Sequence, residues 1–542
     1  MTALVLGPLL RHVADRTATI WVETDRPCEV RVFSEEHGVN ASASTFTAHG
    51  HHYALVDVEG LEPGATIPYA VALDGERVWP EPGGPFPAPA IRTIDPSGPV
   101  RLSFGSCRRS PDRAGLHGLD ALSAFAHRLA APGTEDSAWP DVLLMVGDQI
   151  YADELGEEMR AYLAERRAPG TEPEGEVADF EDYTMLYKLA WRDDPAVRWL
   201  LSTVPTYTIF DDHDVRDDWN TSYTWRRQMW AKPWWRARIT GGIGSYWIYQ
   251  HLGNLSPEQR AAEPLYAKVL AAAAGGADAA EIIDEFAERA DKEPATTRWS
   301  YVHDWGGTRL VVVDSRCSRL LTADRRGMLD DDEFQWLDEQ CQGGRDHLLI
   351  ASSLPYLLPR AIHHAEAWNE AMAGGAWGGR AARLGERLRQ GADLEHWAAF
   401  DASFRAVAED VVAVARGERG DAPASISFLS GDIHYSYLAR VTEPSTGTAI
   451  TQIVCSPLRN PLVGRFRWAN KIACSRAVPG PFRLLARLSK VAPPPLKWRI
   501  TDGPWFDNAI ATVELDGRRC HVRWETPRDA TSLTGMGAAT IC

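Results

Sequence analysis

The sequence predicts an α/β fold preceded by a small N-terminal β-sandwich. Three observations carry this. The first hundred residues form short stretches rich in β-branched residues, separated by turn signals. From Val100 onward these give way to short unbroken apolar runs, which suit strands buried on both faces. Helical stretches lie between the runs, the layout of a central sheet covered by helices.

The sandwich is expected over residues 1–95. Its strands are residues 17–23 (TATIWVE), 28–33 (CEVRVF), 52–58 and 67–73, with turns at 61–65 and Asp74-Gly75. Residues 61–69 resemble the late-strand corner of fibronectin type III-like domains, with Ile67 where an aromatic is usual and Tyr69 two residues on. Residues 93–99 (TIDPSGP) read as a linker. The α/β domain is expected over 100–525 and a tail over 526–542. Its buried strands are residues 142–146, 206–210, 310–313, 347–350, 426–429 and 450–454. Helices are expected over 179–201, 331–340 and 397–415. Residues 152–181, 220–294 and 355–395 read as long insertions. The second holds a Trp- and Arg-rich stretch, 225–249, which suits either a lid over a site or the insertion's own core.

The net charge of −17 over 542 residues argues against a general binder of nucleic acid or anionic membrane. It leaves room for an anionic substrate, because bound cations reverse the sign locally. The apolar runs are too short to span a bilayer. No basic segment precedes the first apolar residues, so no secretory signal is read and a cytoplasmic location is expected. Eight cysteines without a CxxC pair fit buried, reduced thiols.

Five polar motifs sit where buried strands end, the place where open α/β sheets bind ligands. The first is Phe104-Gly-Ser-Cys107-Arg108-Arg109: either a thiolate ligand beside anion-binding arginines, or a buried Cys with surface arginines. In Gly147-Asp148-Gln-Ile-Tyr151, Gly permits a tight turn. Asp148 can offer two oxygens to two cations, and Tyr151 can ligate as a phenolate, which suits ferric iron. Phe210-Asp211-Asp212-His213-Asp214 crowds carboxylates that repel unless a cation compensates, with a His among them that can serve as an acid. Asp314-Ser-Arg316 is a further strand exit, equally readable as a structural ion pair. In Ser430-Gly431-Asp432-Ile-His434, Asp and His two residues apart can reach one metal centre.

Taken in order, these motifs resemble the PhoD-type alkaline phosphatase family of the calcineurin-like metallophosphoesterase superfamily, over residues 101–460. The Gly-Asp-x-x-Tyr spacing is also similar to that of purple acid phosphatases. The resemblance implies a metallophosphoesterase α/β sandwich with long insertions behind the N-terminal domain. It implies that Cys107, Asp148, Tyr151 and His434 hold Fe3+, with Asp148 bridging to a divalent cation held by Asp212 and Asp432. That cation would be Ca2+, with Mn2+ or Zn2+ as alternatives. In-line attack of a metal-bound hydroxide on a phosphate ester would follow. His213, kept protonated by Asp214 or its neighbours, would be the acid, and Arg108 or Arg316 would steady the phosphate. The expected partner is a small-molecule phosphate ester, with no nucleic-acid scaffold and no transmembrane segment. The rival enzyme reading is a phosphodiesterase acting on a nucleotide or phospholipid head group. The non-enzyme rival is a metal-binding surface protein.

Overall fold

The computed structural model describes residues 2–112, 115–462, 464–474 and 479–542. The N-terminal region is a β-sandwich of two four-stranded antiparallel sheets. One comprises Leu4–Val13, Ala18–Thr24, His51–Val58 and Phe46–Ala48; the other comprises Val39–Ser44, Glu29–Ser34, Ala70–Leu73 and Glu76–Trp79. Residues facing inward from both, such as Ile20, Val32, Val56 and Val71, form its core.

Two large sheets follow. The six-stranded one holds the parallel strands Thr206–Ile209, Val142–Val146 and Val100–Gly105, extended by the antiparallel strands Ile510–Asp516, Arg519–Asp529 and Ser532–Thr540. The seven-stranded one carries Thr308–Val312, His347–Ala351, Ser425–Ser430 and Ala449–Val454 in parallel at its centre. Leu310, Val312, Leu349 and Leu429 share a core with Leu102, Leu144 and Val513 of the six-stranded sheet. The alternate residues Val311, Leu348, Ile350 and Phe428 pack outward against helices Asp331–Gln340 and Asp401–Ala415. Burial on both faces is why these strands read as unbroken apolar runs rather than as alternation.

The structure corrects several boundaries. Residues 526–542, expected as a tail, finish strand Arg519–Asp529 and supply the edge strand Ser532–Thr540. The helix expected over 179–201 is two, Phe180–Trp191 and Pro195–Leu201. Asp194 and Pro195 separate them, because Asp194 caps the second helix and Pro suits only its first turn. The Trp-rich insertion packs mainly as core: Trp235 and Trp247 are buried, and Trp225, also buried, lines a cleft with Asp153 and Asp217. No helix among the described residues is long and apolar enough to cross a membrane.

The sandwich is clamped to the rest of the chain. Buried Arg11 donates to the Gln250 carbonyl at 2.7 Å and to Asn254 Oδ1 at 3.1 Å. Tyr69 donates to the Ser202 carbonyl at 2.6 Å. His51 joins Glu23 of the sandwich, at 2.8 Å, to Glu181 of helix Phe180–Trp191, at 2.9 Å.

Candidate metal centre

The strand exits converge. Three adjacent parallel strands of one sheet deliver Cys107, Asp148 and Asp211–Asp212, and strand Ser425–Ser430 of the other delivers Asp432 and His434. Three overlapping groups each bring donor atoms within 4.8 Å of one another: Cys107, Asp148 and His434; Asp148, Asp212 and His213; and Asp211, Asp212 and Asp432. Asp148 is common to the first two.

The backbone shows why these motifs need their residues. Cys107, Asp148, Asp432 and His434 all adopt left-handed conformations, with φ of 56°, 54°, 64° and 59°. Such residues carry strain of about 1–3 kcal/mol each and cluster where geometry serves a site. A Cβ on Gly147 would sit 2.6 Å from the Asp211 Cβ, and one on Gly431 would sit 1.9 Å from Ser106 Oγ. Glycine at both positions lets the loops close on the cluster.

Tyr151 donates to Asp148 Oδ2 at 3.3 Å and accepts from Asn460 Nδ2 at 3.1 Å. Cys107 Sγ lies 3.1 Å from Ser106 Oγ and 3.2 Å from Ser456 Oγ. Burial, with the charges of Asp148 and Asp432, pushes the Cys107 thiol well up, so a thiolate there calls for a cation. Burial pulls His434 down to about 4, leaving a neutral imidazole.

On the opposite side Arg316 is fully buried among carboxylates. It ion-pairs with Asp211, lies 2.6 Å from Glu395 and 3.2 Å from Asp212, and stands 3.8 Å from Asp432. His396 Nε2 lies 2.9 Å from Asp432 Oδ2, and its Nδ1 lies 2.7 Å from buried Glu366. Burial works against the Asp432 charge, yet His396 and Arg316 hold its carboxyl well below the usual range.

A metal fits these residues. Asp148 Oδ1 and Asp211 Oδ2 are buried with no hydrogen-bond partner. Asp212 Oδ1 lies near the Arg316 guanidinium but outside hydrogen-bond geometry. Arg316 faces Asp211, Asp212, Glu395 and Asp432, joined by Arg319 at Glu395 and His396 at Asp432, and Asp148 adds a further carboxylate. Buried carboxylates crowded this way are neutralised by protons or by cations, and the adjoining thiol and imidazole donors suit a cation.

His213 Nδ1 lies 2.8 Å from Asp153 Oδ1, and its ring is 4.7 Å from that of Tyr151. Burial opposes its charge, but Asp153, Asp212 and Asp148 outweigh burial and raise its pKa well above the ordinary value. Asp153 is therefore the residue that orients His213. Asp214, expected with its neighbours to keep His213 protonated, accepts from the backbone N–H groups of Asp148, Asp211 and Ile150 at 3.0, 2.9 and 3.3 Å, bracing the loops.

The two arginines expected to bind substrate are placed otherwise. Arg108 turns away from the cluster, with Nε 2.9 Å from Asp120 and Nη1 on the Ala190 carbonyl. Its neighbour Arg109 lies over the Tyr151 ring at 4.7 Å and lines a cleft with it. Arg316 is engaged by carboxylates. Asp211 stood in its motif unassigned and Asp153 lies two residues beyond Tyr151, whereas His396, Glu366 and Asn460 come from segments where no motif marked them.

Two convergent sheets with a two-centre donor set at their strand exits define a metal-dependent phosphoesterase. The chain belongs to the PhoD-like phosphatase family, whose model matches residues 126–477. Residues 1–91 match a domain of unknown function (DUF7800). The fold is similar to that of PhoD, with a TM-score of 0.57 at 12% identity, covering 99% of this chain and 88% of the other. It is also similar to a purple acid phosphatase from seeds of yellow lupin (Lupinus luteus), with a TM-score of 0.51 at 10% identity, covering 98% of this chain and 73% of the other. No curated protein sequence matches the chain.

Proposed function

We propose that this chain hydrolyses a small-molecule phosphate ester at a two-cation centre, with His213 as the proton donor to the leaving group. The observation that carries the reading is the pair of buried, unpartnered carboxylate oxygens, one on Asp148 beside Cys107, Tyr151 and His434 and one on Asp211 beside Asp212 and Asp432. Cys107, Asp148, Tyr151 and His434 would hold Fe3+, because thiolate and phenolate donors suit a trivalent iron. Asp148, Asp212 and Asp432 would hold the second ion, Ca2+ by their all-oxygen chemistry, with Mn2+ or Zn2+ as alternatives. When bound, the pair of cations neutralises the ester's oxygens and activates a water for in-line attack.

The chain's own residues do the remainder. Asp153 fixes the His213 ring through Nδ1, which leaves Nε2 for the leaving-group oxygen. Asp153, which neither cation claims, supports the charged ring, so the departing alkoxide receives a proton as the bond to phosphorus breaks. His396 holds Asp432 in place through Oδ2. Arg109, over Tyr151 at the cleft and ion-paired with Glu154, is an arginine that an anionic substrate could recruit by displacing Glu154.

Elemental analysis of the purified protein tests this, paired with hydrolysis of p-nitrophenyl phosphate and bis-p-nitrophenyl phosphate. Iron together with a divalent ion, and hydrolysis lost in His213→Ala, is the expected result. The ratio of the two activities decides between monoester and diester. A protein that binds no metal and hydrolyses neither ester after reconstitution overturns the proposal.

A further inference from the structure

The net charge of −17 conceals a segregated positive segment. Between Glu443 and Asp502 the chain has no Asp or Glu and ten Lys or Arg. Within it lie helices Gly464–Ala473 and Pro479–Leu488. Each repeats one pattern. Trp468 and Ile472 stand exposed one turn apart on the first, and Leu484 and Leu488 on the second, with Trp468 at 70% and Leu488 at 61% exposure. One residue before each of these lies a cation: Arg467, Lys471, Arg483 and Arg487. Arg467 has Asp507 at 3.6 Å. Lys471, Arg483 and Arg487 have no carboxylate partner among the described residues.

Both helices pack on helix Arg360–Ala373, which also carries helix Gly379–Gly391 with exposed Leu384 and Leu388. With Trp377, this one region displays seven of the eleven exposed large apolar side chains among the described residues. Surface apolar residues scattered singly need no explanation, but a concentrated patch does. The elements that carry the patch are tied to the metal centre: Asn460, four residues before the first helix, holds Tyr151, and Glu366 on the supporting helix holds His396.

We propose that this face docks the protein peripherally onto an anionic lipid bilayer. Exposed Trp, Leu and Ile beside Arg and Lys are the chemistry of an interfacial amphipathic helix. Its apolar pairs enter the acyl boundary while the long basic side chains reach anionic head groups. A nucleic acid would engage the cations but would leave aliphatic Leu484, Leu488 and Ile472 in water. The charge complementarity is local, so the acidic remainder of the chain faces away from the bilayer and favours a single orientation.

Sedimentation of the full chain with vesicles tests this. The protein should pellet with equimolar phosphatidylcholine–phosphatidylglycerol vesicles, not with phosphatidylcholine alone, and salt should weaken the binding. Reversing two charges, Arg483→Glu with Arg487→Glu, should weaken vesicle affinity roughly tenfold or more, and so should Trp468→Ser with Leu484→Ser. Both double variants should hydrolyse soluble p-nitrophenyl phosphate as the parent does, which shows that they fold. Failure of the parent protein to pellet with anionic vesicles, or equal pelleting of active variants and parent, would overturn the proposal.

Discussion

The metal cluster and the sandwich interface both bury charge, and they treat it in opposite ways. At the interface the buried carboxylate of Glu23 finds its partners within the chain, although Arg11 Nε is left without one. Arg11 meets a carbonyl and an amide oxygen, and His51 lies between two carboxylates. In the cluster, Asp148 and Asp211 each keep a buried oxygen without a partner, and four residues sit in left-handed backbone conformations. A buried polar group that is satisfied internally holds a structure together. One left open lowers stability and is retained where a ligand completes it. Substitutions should therefore separate: cluster variants lose chemistry and keep or gain stability, whereas interface variants lose stability and keep the chemistry of what remains folded.

The largest effect is expected from Asp148→Asn, because Asp148 is shared by two donor groups. Hydrolysis should fall more than about 10⁴-fold. The metal-free variant should nevertheless melt higher than metal-free parent, by about a degree or more, since a buried carboxylate with an open oxygen has been neutralised. Calorimetry of both proteins after chelation checks this. A metal-free variant that melts lower than metal-free parent would remove the contrast between the two regions.

His213→Ala comes next, with a loss of about 10²- to 10⁴-fold in kcat and unchanged metal content. The loss should be larger for an alkyl phosphate than for p-nitrophenyl phosphate, whose leaving group needs less help from a proton. Asp153→Asn should show the same leaving-group trend more weakly, because Asp153 acts by holding the ring. A loss identical for both substrates would mean that His213 does not serve the leaving group.

On the interface side, Arg11→Met takes a side-chain donor from the Gln250 carbonyl and one from Asn254 Oδ1, which keeps the Thr208 N–H. Stranding a buried acceptor costs about 1–3 kcal/mol. Denaturant unfolding should register that loss, while hydrolysis per folded molecule stays at the parent's value. A fall in kcat without a fall in stability would tie the sandwich to the chemistry.

Much of this site was legible because its geometry constrains residue type. Buried strands must be apolar on both faces, and their exits must turn tightly, so Gly147-Asp148 and Gly431-Asp432 announce themselves. The choice between Arg108 and Arg109 was not legible. Neighbours on an extended backbone point to opposite sides, so only the turn after Gly105 decides which arginine meets the cleft. His396 and Glu366 act through distances in space between segments far apart in sequence, with no periodicity to mark them. The edge strand Ser532–Thr540 is largely exposed and rich in small residues, so it carries no apolar run and read as a tail.

The smallest expected effect sharpens the comparison through pH. Burial opposes charging His51, but Glu23 and Glu181 outweigh it and raise its pKa from 6.5 to about 9. The folded state thus binds this proton more tightly than the unfolded chain does. Its stabilisation is complete below pH 6.5 and is lost as pH rises through about 9. The melting midpoint of the parent should exceed that of His51→Gln by most at the acid end of that window, and the difference should shrink across it. Salt should reduce the difference, because Glu181 is partly open to solvent. A gap that stays constant across the window would show that His51 acts by packing rather than by charge, and that the interface holds the sandwich without the ion pairs that distinguish it from the cluster.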